Sequence, residues 1–312
     1  MTDHDQAIDD ARLNDVASEP QDIGRTIAYG ALAASTVMLA NGLSKAEAQT
    51  AALTDIEILN FFLNLEYLQG QFYSYASSGA GLPSADIAGV GTAGGVTGGR
   101  AATFTDPLIG QFARELASTN LAHVRYMREQ LLIAGGLAVA QPAINLNTAF
   151  ASAMQTAGVS SSFDPFASDD NFLLAAFFLL DFAVSAYKGM SVLITNKTYL
   201  EGLMGIMATK AYHAAFVRMT LLQRGIANPA LISAANAISD ARDNLDGASD
   251  LDQGISPRGG VSNIAPADAN GVALGRSPTQ SLNIVYLQRA AVSSGGFFPA
   301  GLNGTVVTSA AN

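Results

Sequence analysis

Residues 205–219, GIMATKAYHAAFVRM, read as one amphipathic helix with Ile206, Lys210, His213 and Val217 on its apolar face. A helix that offers a histidine to a bundle interior as a metal ligand normally offers a carboxylate three residues earlier, because i and i+3 project from the same face. Here that position holds Lys210. An ammonium in such a place either abolishes a metal site or builds something else there.

Three further segments carry helical period. In residues 55–76, Leu59, Phe62, Leu63, Glu66, Gly70 and Tyr73 form one stripe, which puts Glu66 among apolar neighbours. Residues 106–135 align Phe112, Leu116, Asn120, His123 and Met127, so His123 faces inward. Residues 169–194 are apolar almost all round, as suits a helix buried on most sides, and residues 198–225 complete the set with Leu203 in the stripe of Lys210 and His213. The 138–168 connection, AVAQPAINLNTAFASAMQTAGVSSSFDPFAS, is long enough to travel the length of a bundle. Four helices with one long central crossover form the ferritin-like arrangement, so the predicted class is all-α. A fifth helix is expected over 229–245. A short one is expected after Ser277, where Ser277, Pro278 and Gln280 spell a capping box with proline at N1.

The division expected is an N-terminal head over 1–48, a bundle over 49–226, and a helix and loop-rich extension over 227–312 packed on it. The head, acidic to Arg25 and then alanine-rich, ends in Ala46-Glu47-Ala48 and has the order of an export signal, although two adjacent arginines are absent. That order predicts a periplasmic or extracellular protein. The alternative is a retained N-terminal arm on a cytoplasmic one. The apolar run is short and broken by Ser35, Thr36 and Asn41, so no transmembrane span is expected.

Composition narrows the partners. The chain has 312 residues, 49% hydrophobic and only 13% charged, so much surface must be hidden within the chain or in an oligomer. A net charge of -10 with 16 Lys and Arg offers no basic patch for nucleic acid or an anionic bilayer. The absence of cysteine excludes disulfides and thiolate chemistry. Gly89 to Gly94 match a dinucleotide-binding spelling, but no apolar strand precedes them and a loop is expected. Asp243, Asp246, Asp250 and Asp252 lack EF-hand spacing and are expected to cap a helix end or stay solvated.

NLEYLQGQFYSYASSGAGL, SSFDPFASDDNFLLAAF, NIAPADANGVALGRSPTQSLNIVY and GGFFPAGLNG resemble the ferritin-like family that includes the plant desiccation-related proteins and their bacterial relatives. The resemblance runs from about Asp55 to about Gly304. It implies a ferritin-like bundle, often exported in bacteria, associated with desiccation or stress and with no agreed reaction. Carried over residue by residue, the general di-iron pattern keeps Glu66, His123 and His213. It meets Asn120, Leu180 and Lys210 where carboxylates are expected.

Four carboxylates would balance two ferrous ions, whereas a surviving Glu66 is balanced by one lysine. Lys210 is therefore expected to act as an internal surrogate for metal, bonded to Glu66, with Asn120 and both imidazoles completing the hydrogen bonds. No catalytic residue, cofactor or metal is expected on this reading. Its alternatives are one Fe or Zn on Glu66, His123 and His213, or core histidines with Lys210 snorkelling to the surface. Asp181, one position past Leu180, is rotated by about 100° from the ligand face and cannot stand in. Glu115 could reach the pocket edge. The expected function is a non-enzymatic structural or stress protein that self-associates or binds an envelope partner.

Overall fold

The computed structural model describes residues 52–312. The export-like head therefore lies outside the described residues. Four long helices make the bundle: α1 (Asp55–Ser78), α3 (Pro107–Ile133), α5 (Asp169–Met190) and α6 (Lys197–Ala227). Each begins where a side chain satisfies orphan amides of the first turn. Thr54 and Glu57 form a capping box on α1, and Asp106, Ser168 and Asn196 cap the others.

Cross-helix pairs give the directions. Asn60, near the start of α1, bonds the Leu137 carbonyl just past the end of α3, while Glu66 meets His123, so α1 and α3 are antiparallel. Asp170 meets Arg224 and Asp181 meets Arg218, so α5 and α6 are antiparallel. Phe62 stacks on Tyr187 while Phe72 stacks on Phe172, which runs α5 against α1 and parallel to α3. Only a connection that returns along the bundle can join two parallel neighbours in this way, and residues 134–168 do so.

That crossover is not all loop. It contains α4 (Thr148–Thr156), and the strand β2 (Ile144–Asn145) pairs in parallel with β1 (Val96–Thr97) from the α1–α3 connection, which also holds the single turn α2 (Ser84–Ile87). The glycine-rich run from Gly89 is the expected loop. Its residues lie against the crossover backbone, where a Cβ on Gly89 or Gly94 would collide with residues 138–143. Among the described residues α5 is long and apolar enough to cross a bilayer, but it is the central helix of this bundle and most of its surface is buried.

The C-terminal third belongs to the same compact unit as the bundle. It carries α7 (Pro229–Asp246) and α8 (Pro278–Tyr286), the latter opened by the expected Ser277–Gln280 capping box. Phe297 and Phe298 of the GGFFPAGLNG segment are fully buried, and Phe297 packs edge-on against Phe150 of α4. Gly296, at φ 46°, turns this segment close to the Val285 carbonyl, where a side chain has no room.

Three buried arginines join the extension to the bundle. Arg218 of α6 bonds Asp181 of α5 at 2.6 Å and the carbonyls of Gln253, Gly254 and Asn263. Arg242 of α7 bonds Asp252 at 2.5 and 2.9 Å and the carbonyls of Phe177 and Phe178. Arg276 bonds Asp246, Asp252 and Ser185. Three guanidinium groups thus face three carboxylates, the balance that burial requires. Asp246 and Asp252 are neither solvated nor capping a helix end, contrary to the expectation for the acidic segment; these partners come from elements distant in sequence, which spacing alone could not disclose.

The backbone of Arg276 donates to the Ser185 carbonyl, and it approaches α5 beside Gly189. A Cβ at 189 would fall on the Arg276 carbonyl and amide nitrogen, neither of which can yield as a flexible side chain would. Gly189→Ala is therefore expected to cost about 3 kcal/mol, measured by urea unfolding, despite the better helix propensity of alanine. A variant as stable as the parent would show that this close approach does not exist.

Candidate functional site

Glu66, Gln69 and Tyr73 recur at i, i+3 and i+7 on the inward face of α1. Asn120 and His123 do so at i and i+3 on α3, and Lys210 and His213 on α6, while Tyr187 enters from α5. These spacings bring the side chains to one level of the bundle. Glu66 and Lys210 are completely buried.

Lys210 Nζ lies 2.9 Å from Glu66 Oε1 and 3.1 Å from Oε2. It also donates to Gln69 Oε1 at 3.0 Å and to Asn120 Oδ1 at 3.2 Å, and it lies 5.8 Å from the centre of the Tyr187 ring. Glu66 accepts in addition from the Tyr187 hydroxyl at 2.7 Å and from His123 Nδ1 at 3.3 Å. Every partner of the ammonium is an oxygen, and every partner of the carboxylate is a donor. Asn120, with its amide nitrogen bonded to the Leu116 carbonyl, must turn its oxygen to the lysine.

The electrostatics follow from this arrangement. Burial pushes the Glu66 carboxyl up, but the Lys210 ammonium, together with the hydrogen bond and charge of His123, overcomes that and holds it at about 2. Burial pulls Lys210 down from the ordinary lysine value, opposed by Glu66. Burial, and then the Glu66 charge, push the Tyr187 and Tyr73 hydroxyls well above the usual tyrosine range, so both remain neutral.

His213 departs from the expected arrangement. Its Nε2 turns to Glu115 Oε1 at 3.2 Å, and the ring packs edge-on to Phe112 instead of completing the Glu66–Lys210 network. Glu115 lies on the outer side of the α3–α6 seam with a largely exposed side chain, and it draws the imidazole outward. Burial, despite Glu115, lowers the His213 pKa and favours the neutral ring; its Nδ1 is then a buried acceptor without a partner. Gln69 Nε2 and the Tyr73 hydroxyl are likewise buried and unpaired. Leu180 is fully buried in the apolar core, and Asp181 points away to Arg218 and Arg242.

Sequence reasoning brought together Glu66, Asn120, His123 and Lys210, and missed Gln69 and Tyr187. Gln69 lies three residues after Glu66 and could have been found from the α1 stripe. Tyr187 could not, because its role depends on the rotation of α5. A pair of iron ions does not fit these residues. One carboxylate cannot balance two divalent ions, Leu180 offers no donor, and an ammonium occupies the position between the remaining oxygens. Among the described residues no three His, Asp or Glu side chains converge to hold a metal ion.

Comparison with known proteins places the chain in a family. Residues 54–223, more than half of the chain, match the model of the ferritin-like domain, and the chain belongs to that family. It is 26% identical over 265 residues to the desiccation-related protein PCC13-62 of Craterostigma plantagineum, covering 79% of this chain and 82% of that one. It is 25% identical over 270 residues to the ferritin-like catalase Nec2 of Nesocodon mauritianus, covering 81% and 84%. No solved structure gives a significant match.

Lys210→Met leaves Glu66 buried without its counter-charge and is expected to cost roughly 3 kcal/mol or more at pH 7, while Lys210→Met with Glu66→Gln recovers much of the loss. The pH dependence has a definite sign. Because the folded carboxyl is depressed, its stabilisation in the parent is present above about 4.5 and is lost as pH falls toward about 2. In Lys210→Met the unpaired carboxyl is raised, so acid relieves its penalty. The gap between the two proteins should therefore narrow as pH falls from 7, first by relief in the variant down to about 4.5 and then by loss in the parent toward about 2. Denaturant melts at several pH values measure it, and a gap that is small at pH 7 or independent of pH would mean the pair is not formed.

Proposed function

We propose that this member of the ferritin-like family is a non-enzymatic structural or stress protein, related in role to the desiccation-related proteins, in which Lys210 has taken the place of the metal. The observation that carries this reading is the fully buried ammonium held by Glu66, Gln69 and Asn120. A metal in such a bundle ties four helices to one point, and here a tethered cation does the same without dependence on metal supply.

With the interior committed to holding itself together, function falls to the surface. Tyr212, Phe216 and Met219 lie exposed at i, i+4 and i+7 on α6, with Leu108 exposed on the neighbouring helix α3. An apolar stripe of this kind supports self-association or docking of an envelope partner. Export of the chain by its N-terminal segment, with cleavage after Ala48, belongs to the same proposal. Mass spectrometry of native protein should then find a chain starting near Gln49, and an intact Met1 would turn the head into a structural arm.

The name of the Nesocodon relative favours a second reading, a metal-dependent oxidase or catalase. In this chain such redox chemistry would need one iron on Glu66, His123 and His213, zinc being redox-inert and suited to binding alone, and therefore a return of His213 from Glu115 and displacement of Lys210. Elemental analysis of protein purified without added metal separates the two. Well under one equivalent of iron, manganese or zinc is expected, with neither peroxide breakdown nor ferroxidase activity. Stoichiometric metal lost in His123→Ala and His213→Ala would establish the second reading instead. Conversely, Asn120→Glu, Leu180→Glu and Lys210→Glu together should destabilise the metal-free protein by crowding like charges, and Fe(II) should raise its melting temperature.

A further inference from the structure

A cavity of about 140 Å³ lies between α5, α6 and the C-terminal loops, away from the Glu66–Lys210 centre. Val184 and Ala214 supply its helical wall, and Leu251, Ile264 and Leu274 its loop wall. The last two belong to the NIAPADANGVALGRSPTQ segment, which is conspicuous in the sequence and has no part in the bundle centre. Size sets the first limit on an occupant. An engineered apolar cavity of about 150 Å³ admits benzene, so this one suits a single ring or a short branched aliphatic group.

Its polar floor sets the second. Asp181, Ser185, Asp252 and Arg276 line the cavity, and most of their capacity is already used. Ser185 accepts from Arg276 and donates to the Phe182 carbonyl. Both oxygens of Asp252 are bonded to arginine. Asp181 differs: the bonds from Arg218 and Arg242 both go to Oδ2, and Oδ1 accepts nothing from any described residue. The three arginines and three aspartates beneath the cavity already balance, so a charged occupant would leave one charge uncompensated.

We infer that this cavity is a binding site for a small neutral molecule with an apolar, ring-sized body and one hydroxyl, the hydroxyl donating to Asp181 Oδ1. The apolar walls hold the body and the free carboxylate oxygen orients it. Nothing in this site depends on whether the bundle centre holds metal.

Phenol and toluene, which share shape and differ in the hydroxyl, test the inference by titration calorimetry on the full chain and by methyl chemical shifts at Val184, Leu251, Ile264 and Leu274. Phenol should bind saturably and about tenfold or more tighter than toluene, the worth of a hydrogen bond to a charged acceptor. Ala214→Leu fills the cavity from α6, and Ala265→Leu, on the exposed loop, narrows its mouth. Each should weaken phenol at least about tenfold, by the loss of the space its ring needs. Should Ala214→Leu fold poorly, Ala265→Leu decides. No saturable phenol binding, equal affinity for toluene, or undiminished affinity in the folded variants would overturn the assignment.

Discussion

Glu66 and Lys210 form a completely buried ion pair, and the rest of the bundle is arranged around satisfying it. Two bare charges in a medium of low dielectric would each cost several kcal/mol, so the pair survives only if every remaining lone pair and proton is also met. Gln69 and Asn120 supply oxygens to the ammonium, and Tyr187 and His123 supply protons to the carboxylate. The six side chains come from all four long helices. A shift of any helix along its axis would break at least one of these bonds, so the pair sets the relative heights of the helices that hydrophobic packing alone would leave adjustable.

A second buried layer does for the extension what the first does for the bundle. Arg218, Arg242 and Arg276 reach carboxylates and carbonyls on α5, α7 and the C-terminal loops, and Arg242 also lies over the Phe177 ring. Loops without periodic structure cannot satisfy their own carbonyls by a ladder, and guanidinium groups, with five donors each, do so instead. The cavity above this layer is a consequence of the same construction. Loops held by their backbones at a few charged points need not fill all the space beside a helix.

The two layers differ in their margins. Asp252 is held below the usual carboxylate range because the arginines outweigh its burial, whereas burial pushes Asp246 up to about 6, with Arg276 opposing. The folded state thus favours protonated Asp246 between the ordinary aspartate range and about 6, and this group contributes a penalty that grows as pH rises through that window. Glu66 behaves in the opposite sense. The bundle centre is weakened by acid, while this corner of the extension is relieved by it.

Period and capping in the sequence determined the four long helices, the place of α8 and the length of the crossover, because these follow from local rules that each segment obeys by itself. They also determined that Glu66, Asn120, His123 and Lys210 face one interior, since residues three and four apart must share a helix face. The outward turn of His213 to Glu115, the entry of Tyr187, and the helix α4 within the crossover were decided by tertiary structure. So was the burial of Asp246 and Asp252 against arginines from other elements. Each of these depends on how far one helix is rotated or how a loop returns across it. A buried charge has no sequence signature of its own; it is recognised by its partner, and the fold brings the partner.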